Sequence, residues 1–260
     1  MTASLGEDGM TRPDNQRPWR FRASPPLRAA ACGLALLLGA VLLAPAAAAV
    51  APPARQAYAE PAPPQQYRAA SPTDEIALAR SAAPPSISGK AEILVMGPGG
   101  YETAVKGPNG FVCLVERSWG AAFEDPEFWN PKIRSPMCFN AAGAASVLPA
   151  YLERTRWALA GMSKAQMLAR AKAQAARPGD RAPRPDAVCF MMSKQGYLAD
   201  AFGHAHPHLM FFLAHTETAA WGANLPGSPV AADRASLDPF TTFYVSVPKW
   251  SDGTSAMAMP

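Results

Sequence analysis

The sequence predicts an α+β fold: a largely antiparallel sheet packed against two or three helices in a single domain. Three observations predict it. After one N-terminal helical stretch, short strand-like runs are parted by Pro/Gly turns, further helical patterns follow, and strand-like runs return near the C-terminus. That order fits segregated helices and strands better than the βα alternation of a doubly wound sheet. With the N-terminal segments set aside, about 190 residues remain, the size of one domain.

Residues 1–49 read as a signal peptide. Arg12, Arg17, Arg20, Arg22 and Arg28 form a basic region, an apolar run from Ala29 to Leu43 follows, and small residues from Ala44 to Ala49 suit cleavage. The apolar run is short for a bilayer span, so no integral membrane segment is expected after cleavage. Residues 50–70, with Pro52, Pro53, Pro61, Pro63 and Pro64, read as a disordered Pro/Ala-rich linker, which leaves 71–255 as the domain. The expected location is secreted or periplasmic.

The chain has 24 Lys and Arg against 20 Asp and Glu. Five Arg and three acidic residues fall in the leader, so the rest carries 19 basic and 17 acidic groups. A balance that even gives no reason to expect nucleic acid as a partner. Cys32 lies in the leader, leaving Cys113, Cys138 and Cys189. In an oxidising compartment one disulfide and one free thiol are expected, with all three pairings open. Cys113 and Cys189 sit in apolar runs, whereas Cys138 precedes a helical pattern and is the thiol most open to activation.

Ser71-Pro72-Thr73-Asp74 has a capping serine, proline at the first helical position and an early carboxylate, so a helix is expected from there to about Ala83. Ala91–Met96, Tyr101–Lys106 and Phe111–Arg117 read as strands. Gly97-Pro98-Gly99-Gly100 and Gly107-Pro108-Asn109-Gly110 read as tight turns, which together predict a meander. Gly97–Gly100 lacks the Gly-Lys-Ser/Thr of a phosphate loop.

From Ser118 to Asn140 periodicity is lost, and Trp119, Phe123, Phe128 and Trp129 read as an ordered loop covering the core. Leu148, Tyr151, Leu152 and Leu159 mark one helical face, and Ser163 with Gln166 forms a capping box opening another helix. Ala187–Met192 and Thr241–Val247 are further strands of the sheet. Residues 222–240 read as loop, and the tail after Asp252 as frayed.

All four histidines, His204, His206, His208 and His215, lie within twelve positions. In an extended chain alternate residues share a face, so His204, His206 and His208 would project together while His215 points away. Three imidazoles with an open fourth position suit zinc, and imidazole also suits copper. Met191, Met192 and Met210 could supply soft Cu(I) donors or simply pack the core. A helix starting at Pro207 is the rival reading, but Phe211-Phe212-Leu213 favours a strand that Pro207 introduces.

The function expected is therefore an envelope protein that binds Zn or Cu through His204, His206 and His208. The alternative is a metal-assisted hydrolase using the same ligands, with Glu124, Asp125 or Glu127 as base. Ser-x-x-Lys and Gly-x-Ser-x-Gly nucleophile motifs are absent.

Overall fold

The structure is a computed structural model that describes residues 58–175, 182–201, 203, 206–214, 218–233 and 240–256. The chain divides into units 1–50 and 51–260, and every described residue belongs to the second. The signal peptide read at 1–49, His204, His215, Met257 and Met259 lie outside the described residues.

The described residues form one eight-stranded sheet with five helices. The strands are β1 (Glu92–Met96), β2 (Tyr101–Val105), β3 (Val112–Glu116), β4 (Ser135–Phe139), β5 (Val188–Met191), β6 (His208–Ala214), β7 (Val230–Ala232) and β8 (Phe240–Ser246). Their order across the sheet is β2-β1-β3-β4-β5-β6-β8-β7. Every pairing is antiparallel except β1 with β3. The helices are α1 (Pro72–Arg80), α2 (Pro85–Ser88), α3 (Ala141–Ser146), α4 (Leu148–Leu159) and α5 (Lys164–Ala175). The α+β class follows, and no helix among the described residues is long and apolar enough to cross a membrane.

Helices cover both faces of the central strands, so these strands are apolar on both sides. On one face Ile93, Cys113, Val115 and Cys138 pack beneath Ala79, Ala82 and Ala83 at the end of α1. On the other, Leu94, Leu114, Phe139, Met210 and Phe212 pack with Val147 and Leu148 of the α3–α4 corner. Ser71 accepts from the Asp74 N–H at 3.1 Å, as an N-cap should. The capping box closes too: Ser163 N–H donates to Gln166 Oε1 at 2.9 Å, and Gln166 N–H to Ser163 Oγ at 3.3 Å.

The meander is half corrected. β1 and β2 form the expected hairpin, but β3 then crosses beneath β1 and pairs on its far side in parallel. The segment expected to be a tight turn at Gly107–Gly110 is that crossing. A Cβ on Gly107 would lie 2.2 Å from the Ala91 carbonyl carbon, so only glycine lets the two backbones pass so closely. Asn109 pins the crossing, donating to Ile87 O at 2.8 Å and accepting from Phe111 N–H at 3.1 Å.

The linker reading fails over its described part. Tyr67 is 2 % exposed and lies against Trp119 with ring centroids 4.7 Å apart. Its hydroxyl donates to Trp129 O at 2.9 Å. One buried aromatic outweighs the composition here, because a proline-rich backbone has little freedom to lose. Two strands went unread. β4 hides in the aperiodic stretch behind Pro136, while β7 is three residues in a glycine-rich run. α1 stops at Arg80, three residues early, where Ser81 Oγ donates to Leu78 O. The C-terminal turn is also ordered up to Ala256, which is 6 % exposed and bonded to Pro248 O.

Cys113 and Cys138 stand directly opposite on β3 and β4 and form the disulfide. Cys138 is therefore a strand residue in a bond, not an activated thiol. Cys189 faces Phe139 and packs among the α3–α4 cluster, on the opposite side of the sheet. Burial raises its pKa well above the ordinary thiol value. Thiol titration of the native protein lacking residues 1–49, and with them Cys32, should therefore detect none, and titration after denaturation without reductant one per chain. Three would contradict the pairing.

Candidate functional site

The histidine segment enters the sheet as a strand. Pro207, which lacks an N–H, sits just before β6, and its carbonyl accepts from Val247 N–H at 2.9 Å. β5 and β8 flank β6 on either side, pairing His208 with Met191 and with Ser246. His208 shares its face with Met210 and Phe212, both buried, while Phe211 on the other face is 39 % exposed.

His208 is half-buried, and its Nδ1 lies 2.8 Å from the His206 carbonyl oxygen. A carbonyl can only accept, so Nδ1 carries the proton and Nε2 keeps its lone pair. The Tyr244 ring stands edge-on at 5.7 Å. Desolvation lowers the pKa of His208, holding the ring neutral at pH 7, and the carbonyl contact opposes this only in part. A neutral imidazole oriented through its other nitrogen is the usual state of a metal ligand. Met191, directly opposite, brings its thioether to the same face.

His206 is exposed and precedes β6, so the ladder fixes one of the three proposed ligands. His204 lies outside the described residues. Among the described residues no three of His, Cys, Asp and Glu gather as a metal cage.

The carboxylates read as candidate bases are engaged elsewhere or lie in solvent. Asp125 Oδ1 accepts from Glu127 N–H at 2.7 Å, and Glu124 is exposed. Glu127 is 5 % exposed, its Oε2 accepting from Asn130 Nδ2 at 2.9 Å and from Asp200 N–H at 2.8 Å. Trp119, Phe123, Phe128 and Trp129 of the same stretch are buried, as a covering loop requires.

Asp200, four residues before His204, is a polar hub that sequence reading missed. Its carboxylate accepts from Tyr197 and Tyr58 hydroxyls at 2.5 and 2.6 Å, and from Lys132 Nζ at 3.1 Å. These bonds, Tyr197 first, hold its pKa well below the usual carboxylate range. It anchors the loop leading to the histidines to the Glu127–Lys132 segment. Tyr197 is three positions away, but Lys132 and Tyr58 are 68 and 142 positions away, so the convergence on Asp200 does not show in its sequence neighbourhood.

Comparisons of the chain with protein-family models, with curated proteins and with solved structures found no match.

A second unread group is Glu116, at the end of β3. It is 2 % exposed, and neither carboxylate oxygen has a hydrogen-bond partner. The hydroxyl of Ser118 nearby is likewise buried and unpartnered. Burial pushes the pKa of Glu116 up to about 7, against the pull of Arg117 and Arg154. A raised carboxyl pKa means that the folded chain holds a proton the unfolded chain has released, so stability falls as pH rises from about 4.5 through 7. The loss should approach about 3 kcal/mol, at 1.36 kcal/mol per pKa unit. Urea denaturation at pH 5 and pH 8 should show this fall in the wild type and a much flatter profile in Glu116→Gln. Equal slopes in the two proteins would contradict it.

Proposed function

We propose that this protein is a metal-binding module of the cell envelope that holds copper or zinc at the start of β6. His208 is the anchoring ligand, through Nε2, and His206 and His204 complete the site from the segment that precedes the strand. The observation that carries this reading is the orientation of His208. Its ring is half-buried, kept neutral by desolvation and held through Nδ1, which leaves Nε2 its lone pair for a metal ion.

The donor chemistry fits copper best. Met191 stands opposite His208 on the same face, so the register puts a thioether side chain beside the imidazole, while Met210, two residues along, is packed in the core. Soft donors select Cu(I), whereas imidazole alone also suits zinc. An exported location is supported by the basic and apolar leader, and by a disulfide of a kind that persists in oxidising compartments. Binding without catalysis is the reading favoured, because the described candidate bases Asp125 and Glu127 already serve as hydrogen-bond acceptors, Asp125 from Glu127 N–H and Glu127 from Asn130 and Asp200.

Titration calorimetry with Cu(II) and Zn(II) tests this, supported by competition for Cu(I) against a chromogenic chelator. One ion per chain is expected, with His208→Ala weakening it by more than about 100-fold and His215→Ala changing it little. Affinity should fall below about pH 6, where protons compete for the ring nitrogens. Equal affinity in wild type and His208→Ala would contradict the assignment.

A further inference from the structure

Glu116, Gly120 and Arg154 meet where the chain leaves β3 and runs against α4. A Cβ on Gly120 would lie 2.6 Å from Glu116 Cγ and 3.1 Å from its Oε1, so the carboxyl side chain rests directly on the Gly120 backbone. The same glycine is held from α4. Arg154 Nη1 donates to Gly120 O at 3.3 Å and to Ala121 O at 3.1 Å, and its guanidinium lies 4.8 Å from the Phe123 ring centroid. Trp119 Nε1 donates to Thr155 Oγ1 at 2.9 Å, a second tie to that helix. Residues 118–123 are thus fastened to α4 at a point that the buried carboxyl touches.

Protonated, Glu116 brings no charge into this site. Ionised, it needs donors, and neither of its oxygens has one. Arg117, next along the chain, is committed to Glu75 of α1 and to the Tyr67 and Val115 carbonyls. Tyr101 of β2 donates to Val115 O at 2.6 Å, and burial raises the pKa of its hydroxyl well above the usual value. Ser118, buried and unpartnered, offers a hydroxyl but no charge. Arg154 offers charge, and its Nη1 is bonded to two neutral oxygens. Away from water a carboxylate outcompetes a carbonyl for a guanidinium, because full charge meets full charge. Burial raises the Glu116 pKa to about 7, with Arg117 and Arg154 pulling against it, so the change falls near neutral pH.

We propose that Glu116 is a proton-operated latch: when its carboxyl ionises, Arg154 Nη1 leaves the Gly120 and Ala121 carbonyls for the carboxylate, and residues 118–123 loosen from α4. The proton passes to solvent, and the Ser118 hydroxyl turns to the same carboxylate. The latch is closed below neutral pH and open above it. It is independent of the histidine segment and of any metal there.

Amide hydrogen exchange of the full chain at pH 5.5 and pH 8.5, corrected for intrinsic rates, tests this. The Gly120 and Ala121 amides, bonded to Arg117 O and Ser118 O at 2.9 and 3.1 Å, are the probes. In the wild type their protection should fall about tenfold or more at pH 8.5, and low urea should leave that loss unchanged, as local opening requires. Glu116→Gln should keep them protected at both pH values. Arg154→Met, with the fastening removed, should leave them unprotected at both. The proposal is overturned if wild-type protection is equal at the two pH values, or if its loss grows with urea as global unfolding does. The same loss in Glu116→Gln, or a pH dependence that survives in Arg154→Met, would also overturn it.

Discussion

One buried ion pair holds the domain together. Arg117 is 1 % exposed and Glu75 4 %, and their side chains meet at 2.8 Å. Charges taken from water are tolerated only when their remaining hydrogen-bonding groups are met. Arg117 therefore also donates through Nε to Tyr67 O at 2.6 Å and through Nη1 to Val115 O, while Glu75 Oε1 accepts from Met96 N–H at 3.1 Å. Four segments converge on this pair: the N-terminal stretch around Tyr67, α1, β1 and β3. Removing either partner would strand the other, at a cost of about 3–5 kcal/mol. The pair also fixes where α1 lies across the sheet.

From β3 the constraint spreads across the sheet. The Cys113–Cys138 bond ties β3 to β4, and backbone ladders carry the register through β5 to β6. That register brings Met191 opposite His208, so their sharing of one face follows from pairings set in the centre of the sheet. The aromatic cluster of Tyr67, Trp119, Phe128 and Trp129 closes the adjoining end of the core. Glu127, within the same stretch, accepts from the Asp200 N–H and so anchors the loop that leads into the histidines.

Local signals in the sequence were legible and non-local ones were not. The Ser71 cap, the Ser163–Gln166 box, the hairpin at Gly97–Gly100 and the strand character of β6 and β8 all depend on residues within a few positions of one another. The crossing at Gly107 did not show itself, because a Pro-Asn-Gly turn and a backbone passing under a neighbour call for the same residues. β4 was hidden by Pro136, and Tyr67 by the prolines around it. The disulfide could be counted but not assigned. Its partners are chosen by face and register, which place Cys138 opposite Cys113 and turn Cys189 to the other side. The same limit hid Glu116, which owes its chemistry to burial, and Asp200, which draws Tyr58 and Lys132 from far along the chain. The histidine spacing was plain, but Met191 beside His208 is a matter of strand pairing that no linear reading supplies.

The central claim is that imidazole and thioether sulfur meet on one metal at the start of β6. X-ray absorption at the copper edge of the Cu(I)-loaded protein tests it most directly. The account predicts imidazole scattering together with a sulfur shell that disappears in Met191→Leu while the imidazole signal remains. A spectrum without imidazole scattering, or a sulfur shell unchanged in Met191→Leu, would contradict it.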